Sequence, residues 1–342
     1  MKRLFSFTIY ILFTFLVLFS AGGCRRARPV RVEGKITVTS LIFPSYDFVR
    51  AIAGDRVNLV LLTSPGAESH SFEPSPRDII TIRESDLFIY PGSESSKWME
   101  RILESLDSQS VKILKLVDLV DAVKEELVEG MEDDDHDHGH EDEDDHHDDY
   151  DDRLSTIQLS DVSGIQRALD EHVWTSPKNA MLIVAGITEA LSELDSANAD
   201  FYRQNAAEYS ARLGELDSAF RAVIEGAKRN TFIFGDRFPF RYLADAYALE
   251  YFAAFPGCST ETEPSATTVA FLINKVRSEN IPVIFHIELS NEKIADAISE
   301  ATGAKKLLLH SAQNVSMREF NNGTGYLDLQ KNNVDHLKEA LW

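Results

Sequence analysis

Short apolar runs alternate with helical stretches in the first third of the chain. The runs have the length and apolar composition of buried strands, and the stretches between them have helical spacing and polar starts. The predicted strands are residues 36–41, 57–62, 87–90 and 111–114, and the predicted helices are 46–53 and 78–84. This alternation predicts βαβ units on a largely parallel sheet.

The last third of the chain repeats this pattern. Asn280, Ile281 and Pro282 end one predicted helix before an apolar strand, and Gly303 ends the next helix. The predicted strands are 231–234, 249–254, 283–287 and 306–309, and the predicted helices are 267–279 and 291–302. The sequence therefore predicts a second α/β half.

One continuous apolar stripe separates the two halves. Its members recur in steps of three and four residues, which is the spacing of one face of a helix. They are Tyr202, Ala206, Tyr209, Leu213, Leu216, Phe220, Val223 and Ala227. A helix of about 26 residues is about 39 Å long. We expect it to act as a rigid spine in a monomer, and a coiled-coil dimer is the alternative.

The chain is long enough for two compact domains, with 342 residues of which 44% are hydrophobic. We place an N-terminal lobe at 35–178, linking helices at 179–230 and a C-terminal lobe at 231–342.

The N-terminus has the pattern of an export signal. Lys2 and Arg3 precede an uncharged apolar run at 4–19, and small residues lead directly to Cys24. Residues 1–24 resemble a bacterial lipoprotein signal in which Cys24 is lipidated, and 25–34 would be a basic tether. An uncleaved anchor is the alternative, although the run is shorter than the ~20 residues of a spanning helix. Either case places the rest of the chain outside the cytoplasm, beside a membrane.

Residues 132–152 contain 14 carboxylates and five histidines but no lysine or arginine. Burying uncompensated carboxylates is costly, so we expect a solvated loop inserted in the N-terminal lobe. Imidazoles and carboxylates bind divalent metals, which predicts an auxiliary metal-binding loop, with an inert acidic spacer as the alternative. The histidines are His136, His138, His140, His146 and His147.

The formal net charge of −22 is concentrated in this tract, and the rest of the chain carries −8. No basic stripe is present that would neutralise phosphates, so the sequence argues against nucleic acid as a partner.

Four polar residues follow predicted strands or the acidic tract. His70 lies in PGAESHSFEP, His172 in DEHVW, Asp236 in FGDRF, and His310 directly after the strand at 306–309. Ligands of open α/β sheets bind outside the carboxyl ends of the strands, so these side chains are candidate metal ligands. Each also fits a structural role, and Asp236 fits an ion pair with its neighbour Arg237.

The order of PGAESHSFEP, DEHVW, a long helix and a strand followed by a carboxylate resembles the substrate-binding receptors of ABC-type zinc and manganese importers. The chain is similar to the zinc-receptor branch in particular, which also carries a His/acid-rich insertion between its first two histidine blocks. The resemblance runs from about residue 36 to the C-terminus.

The resemblance implies two pseudo-symmetric α/β lobes with largely parallel sheets, joined by a long rigid helix. It also implies a metal ion held between the lobes by four side chains. His70 and His172 match the first two ligand places. The third ligand place falls in GDRFPFRYL, which contains no histidine. A gapless alignment with the family pattern puts Arg237 opposite this place, so the neighbouring Asp236 is the predicted ligand. The fourth place falls at His310.

The resemblance further implies a function. It predicts an extracytoplasmic, lipid-anchored receptor in the periplasm or at the cell surface that delivers zinc to an ABC permease and its ATPase. Histidine-dominated ligation favours zinc over manganese. A manganese receptor and a metal-stabilised surface adhesin are the alternatives. An enzyme is not expected, and a secreted metal hydrolase is disfavoured because neither HExxH nor GxSxG occurs.

Overall fold

Four parallel strands form the first sheet in the order β2-β1-β3-β4. They are β1 (Thr37–Ser40), β2 (Asn58–Leu61), β3 (Leu87–Tyr90) and β4 (Lys112–Lys115), each within a residue or two of its predicted position. The computed structural model describes residues 34–68, 72–92, 99, 102, 111–131, 168–259 and 264–342.

Two helices lie between the strands of this first lobe, α1 (Phe43–Ala53) and α2 (Pro76–Arg83). Helix α2 begins where the sequence supplies a complete capping box. The Ser75 hydroxyl accepts a hydrogen bond from Asp78 N, and the Asp78 carboxylate accepts one from Ser75 N.

The second sheet repeats the strand order as β6-β5-β7-β8, again with all neighbours parallel. Its strands are β5 (Thr231–Phe238), β6 (Glu250–Pro256), β7 (Val283–His286) and β8 (Lys305–Leu308). Strand β5 continues four residues beyond the predicted end at 234, with an irregularity in its pairing between Phe234 and Arg237. Asp236 therefore lies inside a strand, where the sequence predicted a loop.

Helices α5 (Arg241–Tyr247), α6 (Ala266–Glu279) and α7 (Lys293–Thr302) belong to the second lobe. Helices α6 and α7 cover one face of its sheet through a separate small apolar cluster that includes Leu272 and Ile298. Gly303 ends α7 in the left-handed conformation, at φ 78°, as the sequence predicted.

Two long helices connect the lobes, α3 (Pro177–Leu194) and α4 (Ala199–Glu225). Helix α4 has 27 residues and is about 40 Å long. Its predicted stripe is buried from Tyr202 to Val223 against α1, α3 and the C-terminal helix α9 (Tyr326–Leu341), which follows the short α8 (Met317–Asn321). The stripe is thus covered within the chain.

The main apolar core is continuous from the first lobe, through α3 and α4, to the second lobe. Residues 36–342 form one compact unit that holds both sheets. The expected architecture of two α/β lobes with parallel sheets is confirmed. Among the helices in the described part of the chain, none has both the length and the apolar composition of a membrane crossing.

Candidate metal centre

His172 lies at the junction of the two lobes and is completely buried. It directly precedes a short 3₁₀ turn, Val173–Thr175, which leads into α3. The next aromatic residue, Trp174, is also buried and donates its indole N–H to the Ser311 carbonyl, at 2.8 Å. The Tyr326 hydroxyl of α9 donates to the Trp174 carbonyl, at 2.6 Å. The DEHVW block is therefore fixed by the second lobe, as a ligand position requires.

Asp170 orients the His172 ring. One carboxylate oxygen, Oδ1, lies 2.8 Å from His172 N and 2.9 Å from His172 Nδ1. A carboxylate beside Nδ1 places the proton there and leaves the lone pair of the neutral imidazole on Nε2. This carboxylate–histidine arrangement is common behind metal-bound imidazoles.

The acidic surroundings of His172 also change its basicity. Burial lowers the pKa of His172, but the charge and hydrogen bond of Asp170 act in the opposite direction. The charges of Glu171 and Glu125 add to that effect, and the pKa of His172 is raised above its ordinary value. A more basic imidazole is a stronger metal ligand, although protons compete for it at a higher pH.

Glu171, His172 and Cys258 form a group of metal-ligating side chains. One donor atom from each residue lies within 4.8 Å of a donor atom from both others. Glu171 and His172 are buried, and Cys258 is partly buried. In the part of the chain that the structure describes, this is the one group of three such donors, and it includes neither Asp236 nor His310.

Cys258 reaches this group because β6 ends beside the imidazole. A Cβ atom on Gly257 would lie 2.8 Å from the Phe238 carbonyl oxygen and 3.1 Å from His172 Cε1, so only glycine fits there. Glu125 Oε1 accepts a hydrogen bond from Cys258 N at 2.7 Å. Burial raises the pKa of the Cys258 thiol well above its usual value, and the charges of Glu171, Glu125 and Asp170 raise it further.

His310 is buried directly after β8 and is held by its own backbone. The Ala312 N–H donates to His310 Nδ1 at 2.9 Å, and His310 N donates to Asn333 Oδ1 at 2.8 Å. A neutral imidazole whose Nδ1 accepts a hydrogen bond carries its proton on Nε2. His310 Nε2 is buried, makes no hydrogen bond to the described residues, and lies 3.9 Å from Glu319 Oε1. Metal binding at Nδ1 would require Ala312 N–H to move away.

Asp236 is engaged in holding the turn after β7. Its carboxylate accepts hydrogen bonds from Ile287 N at 3.2 Å and Arg237 N at 2.8 Å. Burial raises the pKa of Asp236, and these hydrogen bonds oppose that effect. The Asp236 carboxylate thus connects the carboxyl ends of β5 and β7, the neighbouring strands at which the order of the second sheet reverses.

His70 lies outside the described residues, but the loop before it is attached to the second lobe. Asn314 Nδ2 donates to the Ser64 and Ala67 carbonyls, at 2.8 and 2.7 Å. Glu68 Oε1 pairs with the Arg237 guanidinium at 3.3 Å. Arg237, which the sequence set opposite the third ligand place, therefore binds the loop that carries His70.

The segment 310–315 contacts both the block that contains His172 and the loop that leads to His70, and all six of its residues are buried. In addition to the contacts with Trp174 and Ser64, Gln313 Nε2 lies 3.4 Å from Glu171 Oε1. Glu288, after β7, accepts hydrogen bonds from Ser311 N and Gln313 N at 2.7 and 3.1 Å. The blocks containing His172 and His310 and the loop leading to His70 thus meet along one segment.

The flanks of the acidic tract also reach this region. Lys124 and Leu169 form an isolated antiparallel bridge, and Asp170 N donates to the Val123 carbonyl at 2.9 Å. A small cavity lies beside them, and its lining includes Glu125, Met131, Asp170, Phe238 and Gly257. The five tract histidines and Cys24 lie outside the described residues, which end at residue 131 before the tract and resume at residue 168, close to His172 in the sequence.

Sequence comparison identifies the family of this two-lobed chain. The family described as "Zinc-uptake complex component A periplasmic" (ZnuA) matches residues 38–340. The chain belongs to the ZnuA family. It is 31% identical over 328 residues to the high-affinity zinc uptake system protein ZnuA of Bacillus subtilis, which covers 96% of this chain and 94% of that relative. The zinc-binding protein AdcA of Streptococcus pyogenes is 29% identical over 330 residues, which covers 96% of this chain and 61% of AdcA.

Solved structures of ZnuA-like proteins have the same architecture. The metal-dependent lipoprotein YcdH of Bacillus subtilis aligns with a TM-score of 0.69 and 28% identity, covering 90% of this chain and all of that one. The Zn(II)-bound ZnuA-like domain of Streptococcus pneumoniae AdcA aligns with a TM-score of 0.67 and 26% identity, covering 90% of this chain and 99% of that one. The resemblance inferred from HSFEP and DEHVW is confirmed.

The ligands predicted from the sequence do not include Cys258. The available signal was its position, because Cys258 follows the carboxyl end of β6 just as His310 follows that of β8. No short motif surrounds it, and its approach to His172 depends on the close packing at Gly257.

Proposed function

We propose that this ZnuA-family protein is the extracytoplasmic receptor of a zinc importer. It captures Zn²⁺ between its lobes and delivers the ion to an ABC permease driven by an ATPase. The observation that carries the proposal is the buried His172, which Asp170 orients at the lobe junction beside two further donors. The zinc-uptake relatives support zinc as the cargo.

His70 and His172 are the core of the proposed binding site. Asp236 and His310 remain the ligands predicted for the third and fourth places. A closed sphere of protein ligands suits capture, whereas a catalytic zinc keeps one position open for water. The family is one of solute-binding receptors, and hand-over to the permease requires that protein ligands can release the ion.

The tract at 132–152 is proposed to collect zinc for this site. His136, His138, His140, His146 and His147 offer imidazoles among 14 carboxylates. Such a tract supplies weak, exchangeable sites. Because Lys124 and Leu169, which lie before and after the tract in the sequence, pair with each other close to His172, ions held in the tract are concentrated near the lobe junction.

A lipid on Cys24 is proposed to hold the receptor at the membrane, with 25–34 as its tether and a monomer as the working unit. Mass spectrometry of the N-terminal peptide tests this directly. We expect a chain that begins at a diacylglyceryl-modified Cys24. An unmodified peptide that continues through Cys24 would support an uncleaved anchor instead.

The function is tested by calorimetric titration of the full-length, chelator-treated protein with Zn²⁺. We expect one site with a submicromolar dissociation constant and several weaker sites. His172→Ala and His70→Ala should each abolish the tight site. His336→Gln is the matched control, since His336 lies on α9 and contacts the Leu308 carbonyl at 2.6 Å. A wild-type protein without a tight zinc site, or a tight site that survives His172→Ala, would refute the proposal.

A further inference from the structure

Of the four predicted ligands, the one at the third place, Asp236, already has other hydrogen-bond partners. Asp236 accepts hydrogen bonds from two backbone N–H groups, those of Arg237 and Ile287, and the second of these bonds holds the turn after β7. It is not in the group of donors around His172. A metal coordination sphere that includes His172 therefore has room for a donor other than Asp236.

Cys258 lies where such a donor is needed. Its donor atom and those of Glu171 and His172 lie within 4.8 Å of one another. Ligand atoms of a tetrahedral zinc, at ~2.0–2.3 Å from the ion, are about 3.3–3.8 Å apart. The three donor atoms therefore need to approach one another by no more than about 1–1.5 Å to bind one zinc ion.

The position of Cys258 is fixed on both sides. Glu125 holds its backbone N–H at 2.7 Å, and Gly257 allows the chain to pass directly against the His172 ring and the Phe238 carbonyl. Two carboxylates lie beside this residue, since Glu125 binds the Cys258 backbone and a Glu171 carboxylate oxygen lies within 4.8 Å of its sulfur. Acidic groups surround cation sites, since their charge favours a bound cation.

We propose that Cys258 is a zinc ligand, bound through its thiolate together with His172, and that Glu171 supplies a carboxylate oxygen to the same ion. This inference rests on the proposed receptor function and extends its ligand set. On binding, the Cys258 sulfur releases one proton to solvent and forms the S–Zn bond. A soft thiolate favours Zn²⁺ strongly over Mn²⁺, so Cys258 would set the selectivity of the receptor.

X-ray absorption at the zinc edge tests the ligand without any substitution. The full chain carrying one equivalent of Zn²⁺ should show a sulfur neighbour at about 2.3 Å, in addition to nitrogen and oxygen neighbours at about 2.0–2.1 Å. A shell of nitrogen and oxygen alone, for an ion that is bound tightly, would overturn the assignment of Cys258. Such a result would leave the receptor function standing.

Cobalt(II) gives a second, independent readout. In the full chain carrying Cys24→Ala, Cys258 is the only remaining thiol. We expect Co²⁺ to produce a near-ultraviolet thiolate-to-cobalt charge-transfer band that saturates at one equivalent. Cys258→Ser should remove the band and weaken Zn²⁺ binding at least tenfold, whereas Asp236→Asn should keep the band.

The outcomes separate the two proposals. Tight Zn²⁺ binding without the band, unchanged in Cys258→Ser, would refute Cys258 as a ligand and support Asp236 or His310. Absence of a tight Zn²⁺ site in the unsubstituted protein would instead refute the receptor function itself. Circular dichroism of Cys258→Ser shows whether a lost site reflects lost folding, and the zinc-edge spectrum of the unsubstituted chain decides the question if that variant does not fold.

Discussion

Asp170 binds His172 through one carboxylate oxygen, which lies 2.8 Å from the backbone nitrogen and 2.9 Å from ring Nδ1 of the histidine. Both residues belong to the DEHVW block, which follows the acidic tract in the sequence. The carboxylate fixes both the direction of the ring and the nitrogen that stays available for a metal.

Replacing Asp170 by asparagine should weaken zinc binding about 10- to 100-fold at neutral pH. Without the supporting carboxylate, the His172 imidazole is less basic and its ring is less firmly oriented. Competition titration against a chelator measures the change. Asp195→Asn is the matched control, since Asp195 accepts hydrogen bonds from Asn198 and Tyr202 at the start of α4. Equal affinity of Asp170→Asn and the unsubstituted protein would show that Asp170 does not support a ligand.

Zinc affinity should fall as the pH is lowered, since a protonated imidazole cannot ligate. The pKa of His172 is raised, so the fall should begin above the ordinary histidine pKa of about 6.5. Asp170→Asn removes a major cause of that shift and should move the onset of the fall to lower pH. Dissociation constants measured from about pH 8 to about pH 5.5 test the direction. A constant affinity across this range would contradict neutral-imidazole ligation.

The Trp174 indole is expected to stabilise the lobe junction. Trp174→Phe removes the hydrogen bond to the Ser311 carbonyl and leaves that buried acceptor unpaired, which should lower the free energy of unfolding by about 1–3 kcal/mol. Urea denaturation of the metal-free protein measures the loss. A change within about 0.5 kcal/mol, as for an ordinary surface substitution, would show that this contact does not hold the junction.

Asn314 is expected to act on the site through the loop that precedes His70. Asn314→Ala removes both hydrogen bonds to that loop, at the Ser64 and Ala67 carbonyls. We expect the zinc affinity of the tight site to fall about tenfold, because one of its ligands, His70, loses the support of its loop. The zinc affinity of the tract at 132–152 should change little. Hydrogen exchange of the loop backbone should rise in parallel. Unchanged exchange and affinity would indicate that the position of His70 does not depend on Asn314.

Deletion of residues 132–152 should leave the tight zinc site intact and remove several weak ones. A matched variant with all five tract histidines changed to glutamine retains the acids and the length. If imidazoles collect the metal, this variant should resemble the deletion in calorimetry. Weak sites that survive the histidine changes would show that the carboxylates alone collect the metal. Equal numbers of weak sites with and without the tract would favour an inert acidic spacer, and loss of the tight site on deletion would contradict the proposed division of roles.

Much of the fold follows from local pattern. Strand β3 lies at its predicted residues, and the buried side of α4 is the stripe that the steps of three and four residues define. These elements are determined by burial of their own side chains, which a periodic pattern records directly. The alternation of strands and helices also predicted the two α/β halves, and the HSFEP and DEHVW blocks supplied the family.

The site was less predictable because it depends on contacts between distant parts of the chain. Strand β5 continues through Asp236 because it pairs with β6 beyond an irregularity, and no local signal shows that continuation. Cys258 comes next to His172 only because Gly257 allows close packing of β6. Likewise, the backbone bond that occupies His310 Nδ1 depends on Ala312, which lies in the left-handed region at φ 64°.

The most direct measurement is anomalous diffraction at the zinc edge from crystals of the zinc-loaded protein. We predict one strong anomalous peak at the lobe junction, within about 2.0–2.1 Å of an imidazole nitrogen of both His70 and His172. A peak bound by neither histidine, or a structure in which the side chains of His70 and His172 do not meet at one ion, would contradict the receptor assignment.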